Sequence, residues 1–289
     1  MPQTSKTTSE NEVDPQIVTS KPPLFFHQRL KAFAFIFPSS IGFRTQRFGF
    51  RTFLKAGRHI SLTEADTMRF VSLHTSIPVP KVQRAWCNDG ITYIIMDFVQ
   101  GEELEAVWRK MSEPVKRRVL DQLGDYVHQL RSIPPPADVD GRVVAVNNGA
   151  LYDSVRVGLN PYGPFDSHDA FHQYLRAGHP LEDFEREDAF RELFQTHNRK
   201  YSTVFTHGDF APRNILVKED GTVTAIVDWE CAGWLPEYWE YSKARYTPYF
   251  PSDWVASIGD IVGSYEEEFQ AERCLWMACG CMLSSVSRL

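Results

Sequence analysis

The densest chemistry in this sequence lies between Thr206 and Glu230. The string Thr206-His-Gly-Asp-Phe-Ala-Pro-Arg-Asn214 leads into Ile215-Leu-Val-Lys218 and then Ile226-Val-Asp-Trp-Glu230. Asp209 and Asn214 stand five apart, the spacing of a phosphoryl-transfer loop whose aspartate positions an acceptor hydroxyl and takes its proton. Asp228 comes 14 residues after Asn214. The apolar stretches 214–218 and 223–228 flank the turn Glu219-Asp220-Gly221, so they read as a hairpin that brings Asn214 and Asp228 to one point. A side-chain amide and a carboxylate are hard oxygen ligands suited to magnesium, with waters and phosphates completing the octahedron. Aspartate also serves as a turn or cap residue, and a lone H-x-D is common. The three residues at these spacings, around one apolar hairpin, carry the reading. His207 reads as a structural residue that orients the loop.

Other segments must hold these residues in place. Residues 1–23 are rich in Thr, Ser, Glu and Pro and read as a disordered tail. Alternation over 48–55 (FGFRTFLK) predicts a strand ending at Lys55. The spacing of Ala65, Met68 and Val71 predicts a helix over 61–73, stopped before Ile77-Pro78-Val79-Pro80. Two strands follow at 82–87 and 91–97, with Asn88-Asp89-Gly90 as the turn. Beyond Gly101 the pattern turns helical. Pro114 opens a helix whose stripe is Val119, Leu123, Val127 and Leu130, closed by Pro134-Pro135-Pro136. Residues 137–167 read as irregular, and helical periodicity returns over 168–177 and 181–197. After the strands at 203–206, 214–218 and 223–228, helices are predicted at 236–246, 253–269 and 272–284. The fold class is α+β. A small β-rich lobe (24–98) joins a larger, mostly helical lobe (99–289) at about 98–101.

Composition narrows the function. The chain has 289 residues, 43% of them hydrophobic and 24% charged, a globular balance that excludes collagen-like and fully disordered classes. A formal charge of −6 argues against a nucleic-acid partner, which calls for a basic stripe. Five cysteines (Cys87, Cys231, Cys274, Cys279, Cys281) form no CxxC, which argues against a disulfide framework or zinc site and for a reducing compartment. No apolar run approaches the roughly 20 residues of a membrane helix, and the start lacks signal-peptide character. These features predict a cytoplasmic protein with no membrane partner.

HGDFAPRN followed by IVDWE resembles the aminoglycoside phosphotransferase / choline kinase family, the small-molecule branch of the protein-kinase-like, two-lobed fold, and looks most like its fungal members. The likeness runs from about residue 50 to 270 through LKAG, EADTMRFV, IPVPKV, YIIMDFVQGEEL, GPF and GWLPEYWEY. It implies an ATP- and Mg2+-dependent kinase that phosphorylates a hydroxyl group of a small molecule. In such an enzyme Asp209 is the catalytic base, and Asn214 and Asp228 hold the magnesium. The hinge Met96-Asp97-Phe98-Val99 offers backbone groups to adenine, and Lys55 contacts phosphate. Glu64 has two readings: ion-pair partner of Lys55, or capping-box partner of Ser61. One departure stands out, because no G-x-G-x-x-G precedes Lys55; only Gly42 and Gly49 are available. A nucleotide-binding pseudokinase scaffold is therefore an alternative. A protein kinase is another, opposed by DWE in place of DFG and by the lack of an A-P-E string. Eight aromatics over 234–254, with Glu230, Trp234, Glu237 and Glu240 among the candidate substrate contacts, suggest an acceptor carrying an amine. Core packing is the competing reading of those aromatics.

Overall fold

The computed structural model describes residues 45–47, 51–185, 188–246 and 250–278. The predicted 1–23 tail, Gly42, Gly49, Tyr249, Cys279 and Cys281 lie outside them, as do the first residues of the predicted 48–55 strand. Chain order gives β1 (Thr45–Arg47), β2 (Thr52–Gly57), α1 (Leu62–His74), β3 (Val82–Asn88) and β4 (Ile91–Asp97). These strands form an antiparallel sheet in the order β1-β2-β4-β3. Lys55 sits inside β2, opposite Ile94 of β4, rather than at a strand end. The β3–β4 turn is tight because Asp89 and Gly90 both take positive φ, at 52° and 72°. Two consecutive left-handed residues match the right-handed twist of the flanking strands, which is why Asp-Gly suits this turn.

Helix α1 starts where its cap predicts. The Ser61 side chain accepts from the Thr63 amide at 3.1 Å, supplying a partner for an otherwise orphan N–H. Its buried face carries Ala65, Met68 and Val71 into a cluster that also holds Phe205, Phe210, Trp229 and Trp234. Packing is thus continuous from the sheet, through α1, into the larger lobe.

That lobe contains β5 (Glu102–Glu103), α2 (Leu104–Val107), α3 (Glu113–Ser132), β6 (Leu151–Asp153), β7 (Gly158–Tyr162), α4 (His168–Leu175) and α5 (Arg191–His197). It continues with β8 (Thr203–Thr206), β9 (Ile215–Val217), β10 (Val223–Ile226), β11 (Gly233–Pro236), α6 (Trp239–Ala244), α7 (Ser252–Val262) and α8 (Glu266–Ala278). Helix α3 buries the predicted stripe of Val119, Leu123, Val127 and Leu130. Several features differ from the sequence reading, among them the short strands β5 and β11 and the predicted 181–197 helix, which is helical in the α sense only over Arg191–His197. The 137–167 region contains the β6–β7 pair. The predicted 253–269 helix is broken, because Gly263 at φ 93° ends α7 and α8 begins at Glu266.

The hairpin β9–β10 does not stand alone. Strand β5, two residues long, pairs with β9 through Glu102↔Val217 and Glu103↔Leu216. The Ile226 amide donates to the Pro78 carbonyl at 2.8 Å. The segment after the hinge, the site hairpin and the loop before β3 are therefore joined by backbone bonds. Gly101 makes the first junction feasible. A Cβ there would lie 3.1 Å from Leu216 Cβ, 3.2 Å from the Val217 nitrogen and 2.5 Å from Thr224 Oγ1. The threonine can rotate away, but the backbone cannot. Gly101→Ala is accordingly expected to cost about 1–3 kcal/mol. Gly124→Ala inside α3, where a methyl meets nothing within 4 Å, should stabilise by about 0.5–1 kcal/mol. Urea denaturation of the two variants checks both signs.

Candidate active site

Lys55 is the electrostatic centre of a cleft between the lobes. Its Nζ lies 2.8 Å from Glu64 Oε2, 2.6 Å from Asp228 Oδ1 and 3.5 Å from Glu230 Oε2. Lys55 comes from β2, Glu64 from the first turn of α1, and the other two from the turn after β10. The two readings of Glu64 are now separated. Its carboxylate turns to the lysine, while Ser61 caps the helix through Thr63. Burial works against the ammonium, but the three carboxylates outweigh it and hold the Lys55 pKa above the ordinary lysine range. This contribution to stability is complete below pH 10.5 and is lost only as pH rises through the higher folded value.

Asp228 adopts the left-handed conformation, at φ 65° and ψ 59°. This bend aims its carboxylate back into the cleft. Burial pushes its pKa up, yet the charge and hydrogen bond of Lys55 prevail and hold it below the usual 3.8. Its share of stability is present above that value and fades as pH falls through the lower folded one.

The cleft has a volume of about 470 Å³. Its lining includes Lys55, Glu64, Asn214, Asp228 and Glu230, and also the hinge residues Met96, Asp97, Phe98 and Val99. Within the hinge, the Asp97 amide donates to the Lys81 carbonyl at 2.9 Å and the Phe98 amide to the Arg51 carbonyl at 2.8 Å. Five carboxylates (Glu64, Asp97, Glu103, Asp228, Glu230) but only two cations (Lys55, Arg213) line the cleft among the described residues. One oxygen each from Glu64, Asp228 and Glu230 lies within 4.8 Å of the others. Such a surface repels a polyanion unless a multivalent cation enters with it.

Asp209 lies beneath Asn214. The Asn214 Nδ2 donates to the Asp209 carbonyl at 2.9 Å and to its Oδ2 at 2.8 Å. Two acceptors on one atom fix it as the nitrogen, so Asn214 Oδ1 is the amide's acceptor atom. This donor set of amide oxygen plus Asp228 carboxylate fits a hard divalent cation. Arg213 Nη2 also sits 2.6 Å from both Asp209 carboxylate oxygens.

The loop is held from behind. His207 donates from Nε2 to the Val227 carbonyl at 3.1 Å and accepts the Asp209 amide on Nδ1 at 3.2 Å. It thereby joins Asp209 to the strand end before Asp228, the structural role expected of it. Glu240 of α6 is fully buried and accepts the His207 amide at 2.7 Å and the Gly208 amide at 3.1 Å. Gly208, at φ 76°, cannot carry a side chain, because a Cβ would lie 2.4 Å from the Cys231 carbonyl oxygen.

The candidate substrate contacts divide. Glu230 lines the cleft as part of the lysine cluster. The other three do not line it. Trp234 is 1% exposed and packs edge-on against Phe205. Glu237 accepts from the Ser202 amide and the Tyr265 hydroxyl, and Glu240 serves the loop. The aromatics Tyr238, Trp239, Tyr241, Phe250 and Trp254 are buried as well. Among the described residues, these side chains sit away from the cleft: the Glu237 carboxylate is engaged by Ser202 and Tyr265, that of Glu240 by the His207 and Gly208 amides, and the rings pack in the core. The role of Arg213 escaped the sequence reading, although its position four after Asp209 is the spacing at which side chains on one helical turn meet.

The chain belongs to the phosphotransferase enzyme family, whose profile matches residues 58–273. Among solved structures it is similar to a thermostable mutant of the aminoglycoside phosphotransferase APH(4)-Ia in ternary complex with ADP and hygromycin B. The TM-score is 0.58 at 16% identity, covering 89% of this chain and 91% of that one. It is also similar to ADP-bound aminoglycoside phosphotransferase APH(2'')-Ib, with TM-score 0.55 at 14% identity over 92% and 90% of the two chains. No curated protein sequence matches the chain significantly. These likenesses establish the two-lobed, kinase-like α+β fold. The described cysteines Cys87, Cys231 and Cys274 are free. No helix among the described residues is long and apolar enough to cross a membrane.

Glu240 offers a test of which carboxylates are structural. Removing it leaves two buried N–H groups without a partner, each worth about 1–3 kcal/mol. Glu240→Ala should therefore lower the unfolding free energy by about 2–4 kcal/mol, a large single-mutant effect. Thermal melts without any ligand will read it.

Proposed function

We infer that this protein transfers the terminal phosphoryl group of ATP, with magnesium, to a hydroxyl of a small molecule. One observation carries the reading: Lys55, Asn214 and Asp228, from three separate stretches, meet in one cleft with Asp209 directly beneath. The nucleotides in the related structures, ADP and, in a streptomycin–ATP complex of APH(2'')-IIa, ATP, support the same use of this cleft.

In this reading the Met96–Val99 hinge receives the adenine, and Lys55 reaches the phosphates. Asn214 Oδ1 and Asp228 would hold magnesium, which offsets charge on the β- and γ-phosphates when bound. Asp209 orients the acceptor hydroxyl and accepts its proton as the oxygen bonds to the γ-phosphorus and ADP leaves. Glu64 acts on Lys55, fixing the ammonium at the cleft wall. The acceptor is a hydroxyl-bearing small molecule, as with the hygromycin B and streptomycin of the related complexes. Of the three glutamates behind the amine expectation, Glu230 lines the cleft and Glu237 and Glu240 do not.

A catalytically silent nucleotide-binding scaffold is favoured by the lack of a G-x-G-x-x-G before Lys55 and by the Arg213 guanidinium lying across both oxygens of Asp209. Turnover separates the two. With an acceptor found by ATP-consumption screening of hydroxylated compounds, Asp209→Asn should lower kcat by about 10²–10⁴-fold, the usual contribution of a positioned base. Nucleotide binding should not weaken. If no acceptor in a broad alcohol library stimulates ATP consumption, the scaffold reading stands.

A further inference from the structure

Arg213 is the cation of the cleft that the mechanism above does not use. Its side chain is 36% exposed, against 6% for Lys55. Lys55 is surrounded by three carboxylates, whereas the hydrogen bonds of Arg213 among the described residues run from Nη2 alone to Asp209. Among the described residues the Nη1 and Nε donors have no hydrogen-bond partner. Arg213 lines the same cleft as Asn214 and Asp228, and its guanidinium carbon lies 5.9 Å from the centre of the Phe250 ring. A partly exposed ion pair is held weakly. The planar guanidinium fork is also matched to phosphate oxygens better than any other side chain.

We propose that Arg213 is a two-position cation. It rests on Asp209 when the cleft is empty and moves to the terminal phosphate of a bound nucleoside triphosphate, which frees Asp209 for the acceptor hydroxyl. The proposal rests on the nucleotide reading of the cleft. Its ligand is the phosphate oxyanion of the γ-position, in a cleft otherwise lined by carboxylates. The arrangement ties exposure of the base to occupancy: Asp209 is uncovered only when a transferable phosphoryl group is present. The short turn Pro212–Asn214 carries both Arg213 and the metal-ligand candidate Asn214, so the guanidinium can swing on its own flexible stem while Asn214 stays in place.

The test is calorimetric binding of Mg–AMP-PNP and Mg–ADP to the full chain, which needs no acceptor and no turnover. Arg213→Met should weaken AMP-PNP by about tenfold, the loss of one charge-assisted hydrogen-bonding partner, and leave ADP within about twofold. Arg213→Lys should fall between Met and wild type. Asp209→Asn removes the competing carboxylate charge and should tighten AMP-PNP several-fold with ADP unchanged, a gain that a merely structural role does not produce. Equal changes for both nucleotides in Arg213→Met, no change in either, or weaker AMP-PNP binding in Asp209→Asn would each overturn the proposal. A wild-type chain that binds neither nucleotide would overturn the nucleotide reading itself, and this proposal with it.

Discussion

One buried ammonium among three carboxylates is the constraint on which this structure turns. Lys55 belongs to the small sheet, Glu64 to the helix beside it, and Asp228 and Glu230 to the larger lobe. The Lys55 ammonium can stay buried beside Asp228 and Glu230 only while the lobes keep one relative placement. An apolar core alone would leave that placement loosely specified. Here the continuous packing of α1 against Phe205 and Trp234 supplies area, and the charged cluster supplies register. The cluster carries more negative than positive charge, and this excess makes the cleft a place for a cation.

Carboxylates of one chemical type take two kinds of work within this small region. Asp228 and Glu230 keep some exposure and face the cleft. Glu240 faces inward and holds the His207 and Gly208 amides, so the loop bearing Asp209 is fixed from behind before any ligand arrives. His207 completes that support by linking the loop to the Val227 carbonyl. A preorganised loop of this kind costs no rearrangement when charge develops in front of it.

Much of this was legible in the sequence, for identifiable reasons. The D-x-x-x-x-N spacing and the apolar hairpin are local signals, and local geometry alone brings Asn214 onto Asp209. The α3 stripe and the Asp89-Gly90 turn are equally local. Of the Lys55 cluster, only the pair with Glu64 was legible, through the family resemblance; the contact with Asp228 was not, because pairing across 173 residues leaves no periodic trace. Glu237 and Glu240 were misread since composition cannot say which way a carboxylate points; a glutamate near aromatics looks the same whether it faces a ligand or two backbone amides. Strands β5 and β11 went unseen because two to four residues, paired with distant partners, carry too little pattern. The 263–265 break lay in a single glycine inside an otherwise helical stretch.

We propose that the cleft takes a nucleotide only together with a divalent cation, because among the described residues five carboxylates line it against two cations. Isothermal titration of ATP into the full chain, with magnesium and then with EDTA, tests this most directly. We predict measurable binding with magnesium and a loss of at least about tenfold in affinity without it, as expected for a tetra-anion entering a negative cleft. Equal affinity under both conditions would contradict the account.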